Sequence, residues 1–168
     1  AYFQAGRFPE AIAQFDVVSK DKNQGLTATY WLGRSAKAIG EYNRAAEVLK
    51  VAAANTPDKH PLADAIVFEQ ALCERYLQHP TAARKFFEQV LSQFPKSEVA
   101  DDSLHALIEM SIDAGDLDDA EKLLGRFQRE FPQSGLRMHI EMLRGRFELA
   151  RAAQKVRDRR PKAEIDGH

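Results

Sequence analysis

The sequence predicts an all-α protein built from stacked antiparallel helix hairpins and closed by a C-terminal capping helix. Three observations lead there. Apolar residues in stretches such as LHALIEMSI and AEKLLGRF recur at helical rather than strand spacing. Glycines stand between paired helical segments and prolines follow the second segment of each pair. The same frame then returns along the chain, which is the signature of a repeat architecture.

The first repeat interval is clear. Gly6, Phe8, Ala11 and Phe15 are followed by Gly40, Tyr42, Ala45 and Leu49, each 34 positions on (6 to 40, 8 to 42, 11 to 45, 15 to 49). Ala83, Phe87 and Pro95 continue the frame, and Gly115, Leu117, Ala120, Leu124 and Pro132 close it. Later spacings lengthen to 38 (Ala45 to Ala83) and 37 (Ala83 to Ala120), with the extra residues falling near His60–Ala63 and Glu98–Ala100, where loops absorb them. The boundaries expected from this frame are a partial repeat over 1–25, repeats over 26–59, 64–97 and 101–134, and a terminal helix over 135–157, together one domain of 1–157. A charged tail over 158–168 reads as disordered. AYFQAG begins in a helical pattern, so the first repeat is expected to start upstream of residue 1.

Each landmark has a physical role. Gly6, Gly40 and Gly115 supply the positive φ that reverses a chain between helices. Asp116 is placed to cap the next helix, with Asp118 and Asp119 near its positive end. Ala11, Ala45, Ala83 and Ala120 let paired helices approach closely, and Pro57, Pro95 and Pro132 stop the second helix of each pair. A lone hairpin of this kind cannot bury its apolar face, so the units must stack.

These residues resemble the tetratricopeptide repeat (TPR) family. WLG at Trp31–Gly33, followed by GEYNRA and Pro57, is the best single match. Ala36 replaces the family's aromatic, Ile108 and Phe127 stand where small residues are usual, and Gln70 falls where leucine is expected, which implies either a slipped frame or a buried polar group needing a partner. FPKS and FPQS, 37 residues apart (94 to 131), resemble the subgroup of bacterial cell-envelope proteins that includes the Tol–Pal accessory protein and outer-membrane assembly lipoproteins. The resemblance implies a right-handed superhelix with a concave groove, non-catalytic binding of a protein or peptide, and a lean toward the bacterial envelope.

Carried over from the family, the groove-facing positions are Thr27, Tyr30, Arg34 and Lys37, then Ala65, Phe68, Leu72, Arg75 and Tyr76. Asp102, His105, Glu109, Ile112 and Asp113 follow, and then His139, Met142, Arg146 and Leu149. Phe68, Leu72 and Tyr76 form either packing between repeats or an anchor pocket for an apolar peptide side chain. Arg34, Lys37 and Arg75 either hold a ligand carboxylate or are solvated charges. Asn23, Asn43 and Asn55 fall outside the inner faces, so the asparagine clamp of chaperone-binding members is not expected.

The terminal helix carries two apolar stripes. Leu136, Ile140, Leu143, Phe147 and Ala150 suit capping of the last hairpin. Met138, Met142, Leu149, Ala153 and Val156 lie roughly opposite, which points to a further contact, with homodimerisation as the alternative function.

Composition narrows the function classes. Hydrophobic residues make up 44% of the 168 and charged residues 29%, with a net charge of −1, so global charge gives no argument for nucleic acid. The charge is nonetheless uneven: Asp101 to Glu121 is acidic and Arg144 to Lys162 basic. No apolar run is long enough to span a bilayer. The lone Cys73 lies in an apolar run and reads as buried packing. Phosphate-loop, zinc-helix, serine-elbow and calcium-loop motifs are all missing from the sequence. Asp102, His105 and Glu109, with His139, form the one constellation resembling a metal site, and polar lining explains it better, so neither metal nor cofactor is expected.

Overall fold

The computed structural model describes residues 3–19, 25–57 and 59–158, and these hold eight helices and no strand. They are α1 (Phe8–Val18), α2 (Gly25–Ala38), α3 (Tyr42–Ala54), α4 (Ala63–Tyr76), α5 (Pro80–Gln93), α6 (Ala100–Ala114), α7 (Leu117–Glu130) and α8 (Arg137–Asp158). Asn23 and, apart from Asp158, the charged tail lie outside the described residues. The helices group into two compact units, Ala1–Ser103 and Leu104–His168. The second takes α6 from Leu104 onward together with α7 and α8.

Helix reversal follows one backbone rule in each unit. After α2, Gly40 N–H donates to Lys37 O (3.0 Å) and Glu41 N–H to Ala36 O (2.9 Å). The turn after α6 repeats this pair, from Gly115 to Ile112 O (3.1 Å) and from Asp116 to Ser111 O (2.9 Å). This five-back closure needs a left-handed residue, and Gly40 and Gly115 have φ of 82° and 74°. The turn after α4 has no glycine, yet it closes identically, with Gln78 N–H on Arg75 O (3.1 Å) and His79 N–H on Glu74 O (2.9 Å). Gln78 therefore takes the left-handed conformation, φ 61°. Asp116 caps α7 as expected, its side chain accepting from Asp119 N–H at 3.1 Å. The helices before Pro57, Pro95 and Pro132 end at Ala54, Gln93 and Glu130.

In the first unit α1 packs on α2, α2 on α3, α3 on α4 and α4 on α5. Ala11, Ala45 and Ala83 are buried seats between them. The approach is close at Gly33, where a Cβ would sit 2.7 Å from Leu49 Cγ, so only glycine leaves room for the buried Leu49. Tyr30, Ala36, Ala45, Leu49, Ala52, Ile66 and Cys73 form one apolar core. Ala36, which departs from the family's aromatic, is fully buried there. Gln70 keeps frame with Ala63, Ile66, Val67 and Ala71 on the buried face of α4, and it borders crevices beside Lys50, Glu74 and Phe86. The frame is not slipped, and Gln70 is a polar residue buried on that face.

In the second unit Leu104, Leu107, Ile108, Leu117, Ala120, Leu124 and Phe127 are buried, and Ile140, Leu143 and Phe147 bring α8 onto α7. Ile108 and Phe127 are thus bulky residues fully accommodated where small ones were expected.

Gln78→Gly is expected to leave stability unchanged or raise it by up to about 1 kcal/mol, because relief of the left-handed strain exceeds or balances the extra unfolded-chain entropy of glycine. Urea denaturation checks this, and a loss above about 1 kcal/mol would show that the Gln78 side chain itself holds the turn.

Candidate functional site

The cations Arg34 and Lys37 lie three residues apart on α2, where helical geometry places both on one face. The structure supplies their carboxylate from within the chain. Glu69 of α4, only 5% exposed, stands with Oε1 3.0 Å from Arg34 Nε and Oε2 2.5 Å from Lys37 Nζ. The lysine contact is an ion pair lying off the hydrogen-bonding direction of Oε2. A buried carboxylate without cations would be strongly unfavourable, so this triad ties α2 to α4. The Arg34 guanidinium also lies over Trp31, Phe3 and Tyr30, at 4.9, 5.2 and 5.6 Å from the ring centroids. Such contacts favour a fixed, weakly hydrated guanidinium.

Three expected groove positions are corrected by this arrangement. Tyr30 is only 5% exposed and belongs to the core, where burial pushes its phenol up against the opposing charge of Arg34. Arg34 and Lys37 are already engaged by Glu69, so the carboxylate they hold is internal. Glu69 and Tyr42 are the site residues that sequence reasoning missed. An acid within the largely apolar AIVFEQALC was the available signal, since a charge on a buried helix face requires a partner.

The remaining residues of this face belong to α4. Phe68, Leu72 and Arg75 are half-buried and Tyr76 is exposed, along a row adjoining the buried stripe. Phe68 meets Phe87 edge-on at 5.8 Å, and Tyr76 stacks flat on Tyr42 at 4.6 Å with the rings 5° from parallel. Neighbouring helices thus anchor both ends of the row, and Leu72 lies between them. Cys73 points the other way, fully buried, and loss of solvation raises its thiol to about 12.

In the second unit the acidic and basic segments meet each other. Arg146 of α8 bonds Asp113 at 2.5 Å, with Glu109 at 3.9 Å. Arg151 donates to Asp118 (2.8 Å) and Glu121 (2.9 Å) while lying over the Phe147 ring. Part of the charge asymmetry of the sequence is therefore internal complementarity that seats α8. His105 and His139 face each other edge-on at 6.0 Å. No group of three or more His, Cys, Asp or Glu among the described residues is arranged to hold a metal. Ile112, expected to line the groove, is buried. Met138, Met142, Leu149 and Val156 are 59–74% exposed on the outer face of α8. A crevice of about 820 Å³ opens beside Met138, between Phe127, Phe131, Pro132, Ile140 and Arg144.

This arrangement of paired helices with Schellman turns and alanine seats defines a protein of the tetratricopeptide-repeat fold. Two solved structures share it: PilW, a widely conserved type IV pilus biogenesis factor (19% identity, TM-score 0.67, covering 80% of this chain), and a putative kinesin light chain from Podosopora anserina with nearly identical TPR-like repeats (20% identity, TM-score 0.65, 91% of each chain). The chain spans 59% of the length of PilW. Within that fold, the chain belongs to the family of the N-terminal domain of EccA1, the ESX-1 secretion system protein of type VII secretion, whose model matches residues 1–135. No curated protein sequence matches it. No helix among the described residues is long and apolar enough to cross a membrane.

Glu69→Ala is expected to lower stability by about 3 kcal/mol, because it leaves two facing cations with no carboxylate. Adding Arg34→Met and Lys37→Met should recover much of this in urea denaturation, and a loss under about 0.5 kcal/mol for Glu69→Ala alone would show the triad to be structurally unimportant. Cys73 should resist maleimide at pH 8 in the native protein and react on unfolding, since its thiol ionises only near 12 in the folded state.

Proposed function

We propose that the chain is a non-catalytic recognition module that takes a protein or peptide segment against the exposed face of α4. The observation that carries this is the row Phe68, Leu72 and Tyr76, half-buried to exposed and held rigid by Phe87 at one end and Tyr42 at the other. Rigid, partly wet aromatic rows suit an apolar segment in a helix-in-groove or extended mode. Tyr30, Arg34 and Lys37 act beneath this face as its support.

Family membership suggests the setting: a bacterial secretion apparatus, in which a recognition module would meet a polypeptide cargo or another component of the machine. PilW, a biogenesis factor for a surface appendage, is consistent with an envelope-associated process. Nucleic acid is disfavoured by the net charge of −1 and by the engagement of the basic residues Arg146 and Arg151 with carboxylates. A second reading is self-association through α8, favoured by the exposure of Met138, Met142, Leu149 and Val156.

Immobilised chain should retain specific polypeptides from a lysate of the source organism, and Leu72→Asp with Tyr76→Ala should lose them at least tenfold while far-UV circular dichroism stays unchanged. Retention of the same polypeptides by that variant would overturn the α4 reading. Tyr30→Ala serves as the contrast: it should lower stability by about 3 kcal/mol through a core cavity.

A further inference from the structure

The outer face of α8 has a periodicity different from that of a cap. Met138, Met142, Gly145, Leu149, Ala152 and Val156 are spaced alternately by four and three, a heptad seam across nearly the whole helix. All six are exposed. Opposite them, Ile140, Leu143 and Phe147 are buried, so the seam takes no part in packing the unit itself. Gly145 lies at its middle, with nothing within 4 Å of where a Cβ would stand. Glycine inside a helix is unfavourable relative to alanine, and no packing among the described residues accounts for it here. It leaves a notch on the seam.

Resting on the self-association reading, we propose that two copies of this chain pair through α8 in antiparallel register, with Leu149 of each copy filling the Gly145 notch of the other. A heptad seam specifies another helix of the same spacing, and this seam complements itself when reversed. Met138 then faces Val156, Met142 faces Ala152, and Gly145 faces Leu149, so that each small residue of the seam meets a large one. Parallel pairing in register sets Gly145 on Gly145 and Ala152 on Ala152, leaving two empty layers.

Charge is compatible with this register but does not select it. Glu141 flanks the seam on the side of Lys155, and antiparallel pairing brings each Glu141 to the other copy's Lys155. On the other flank Arg146 meets its own counterpart, but each is already matched by Asp113 and Glu109. Glu148 opposite Glu148 is the like-charge pair with no such internal match. Parallel pairing would instead join Glu141 to Arg146 without like-charge contacts; exposed ion pairs are weak beside side-chain burial, so filling of the notch decides the orientation.

Cysteine cross-linking with sedimentation tests this, because the chain's own Cys73 is buried. Native protein should sediment as a concentration-dependent dimer. Under mild oxidation, Gly145→Cys chains mixed with Leu149→Cys chains should form a mixed disulfide dimer at least fivefold faster than Leu149→Cys chains alone. Gly145→Leu should weaken the dimer at least tenfold with helicity retained or increased, and Glu148→Gln should tighten it. A dimer in which Leu149→Cys cross-links best to itself, or which Gly145→Leu strengthens, overturns the register and leaves self-association standing. A constant monomer mass up to millimolar concentration overturns both.

Discussion

The fold depends on how closely two helices can approach. Ala45 and Ala83 in the first unit and Ala120 in the second are fully buried where helix surfaces meet, and at Gly33 even a methyl group would collide with Leu49. Small residues at these points bring backbones near enough for the larger side chains around them, Leu49 and Phe87 among them, to be wholly excluded from water. Bulk at a seat would separate the helices and expose the apolar stripes that drive their association. The turns serve the same end, because a five-back closure with a left-handed residue returns the chain at once onto the helix it has left.

Electrostatics works inside this frame and mostly in favour of it. Glu69 lies on a face where a neutral residue would ordinarily be found, and the cost of burying it is offset by Arg34 and Lys37, with three aromatic rings around the guanidinium. Arg146 and Arg151 use the carboxylates of α6 and α7 to hold α8 in place. Charges that look from composition like a recognition surface are largely committed to the chain's own architecture. The surfaces left partly or fully exposed by this packing are more apolar: the α4 row in the first unit and the outer seam of α8 in the second.

Those two surfaces suit different tasks. The α4 row is short, aromatic and braced by neighbouring helices, which favours capture of a side chain or short segment with little loss of freedom in the protein. The α8 seam is long, methionine-rich and notched, which favours another helix.

The repeat frame, the helix pairing, the turn glycines, the Asp116 cap and the alanine seats were legible in the sequence because each follows from local chemistry repeated at a regular interval. The two apolar stripes of the terminal helix were legible for the same reason: periodicity along one helix is a local property. Gln78 in a glycine's conformation was not, since the turn around it is enforced by the helices on either side. Nor was the fate of Tyr30, Arg34 and Lys37, which depended on a residue of another helix. Periodicity placed all three on a face of α2, but only packing revealed that α4 brings Glu69 against that face. The sequence determined which residues share a surface; the tertiary structure decided which surfaces remain open, because burial and ion pairing depend on groups distant along the chain.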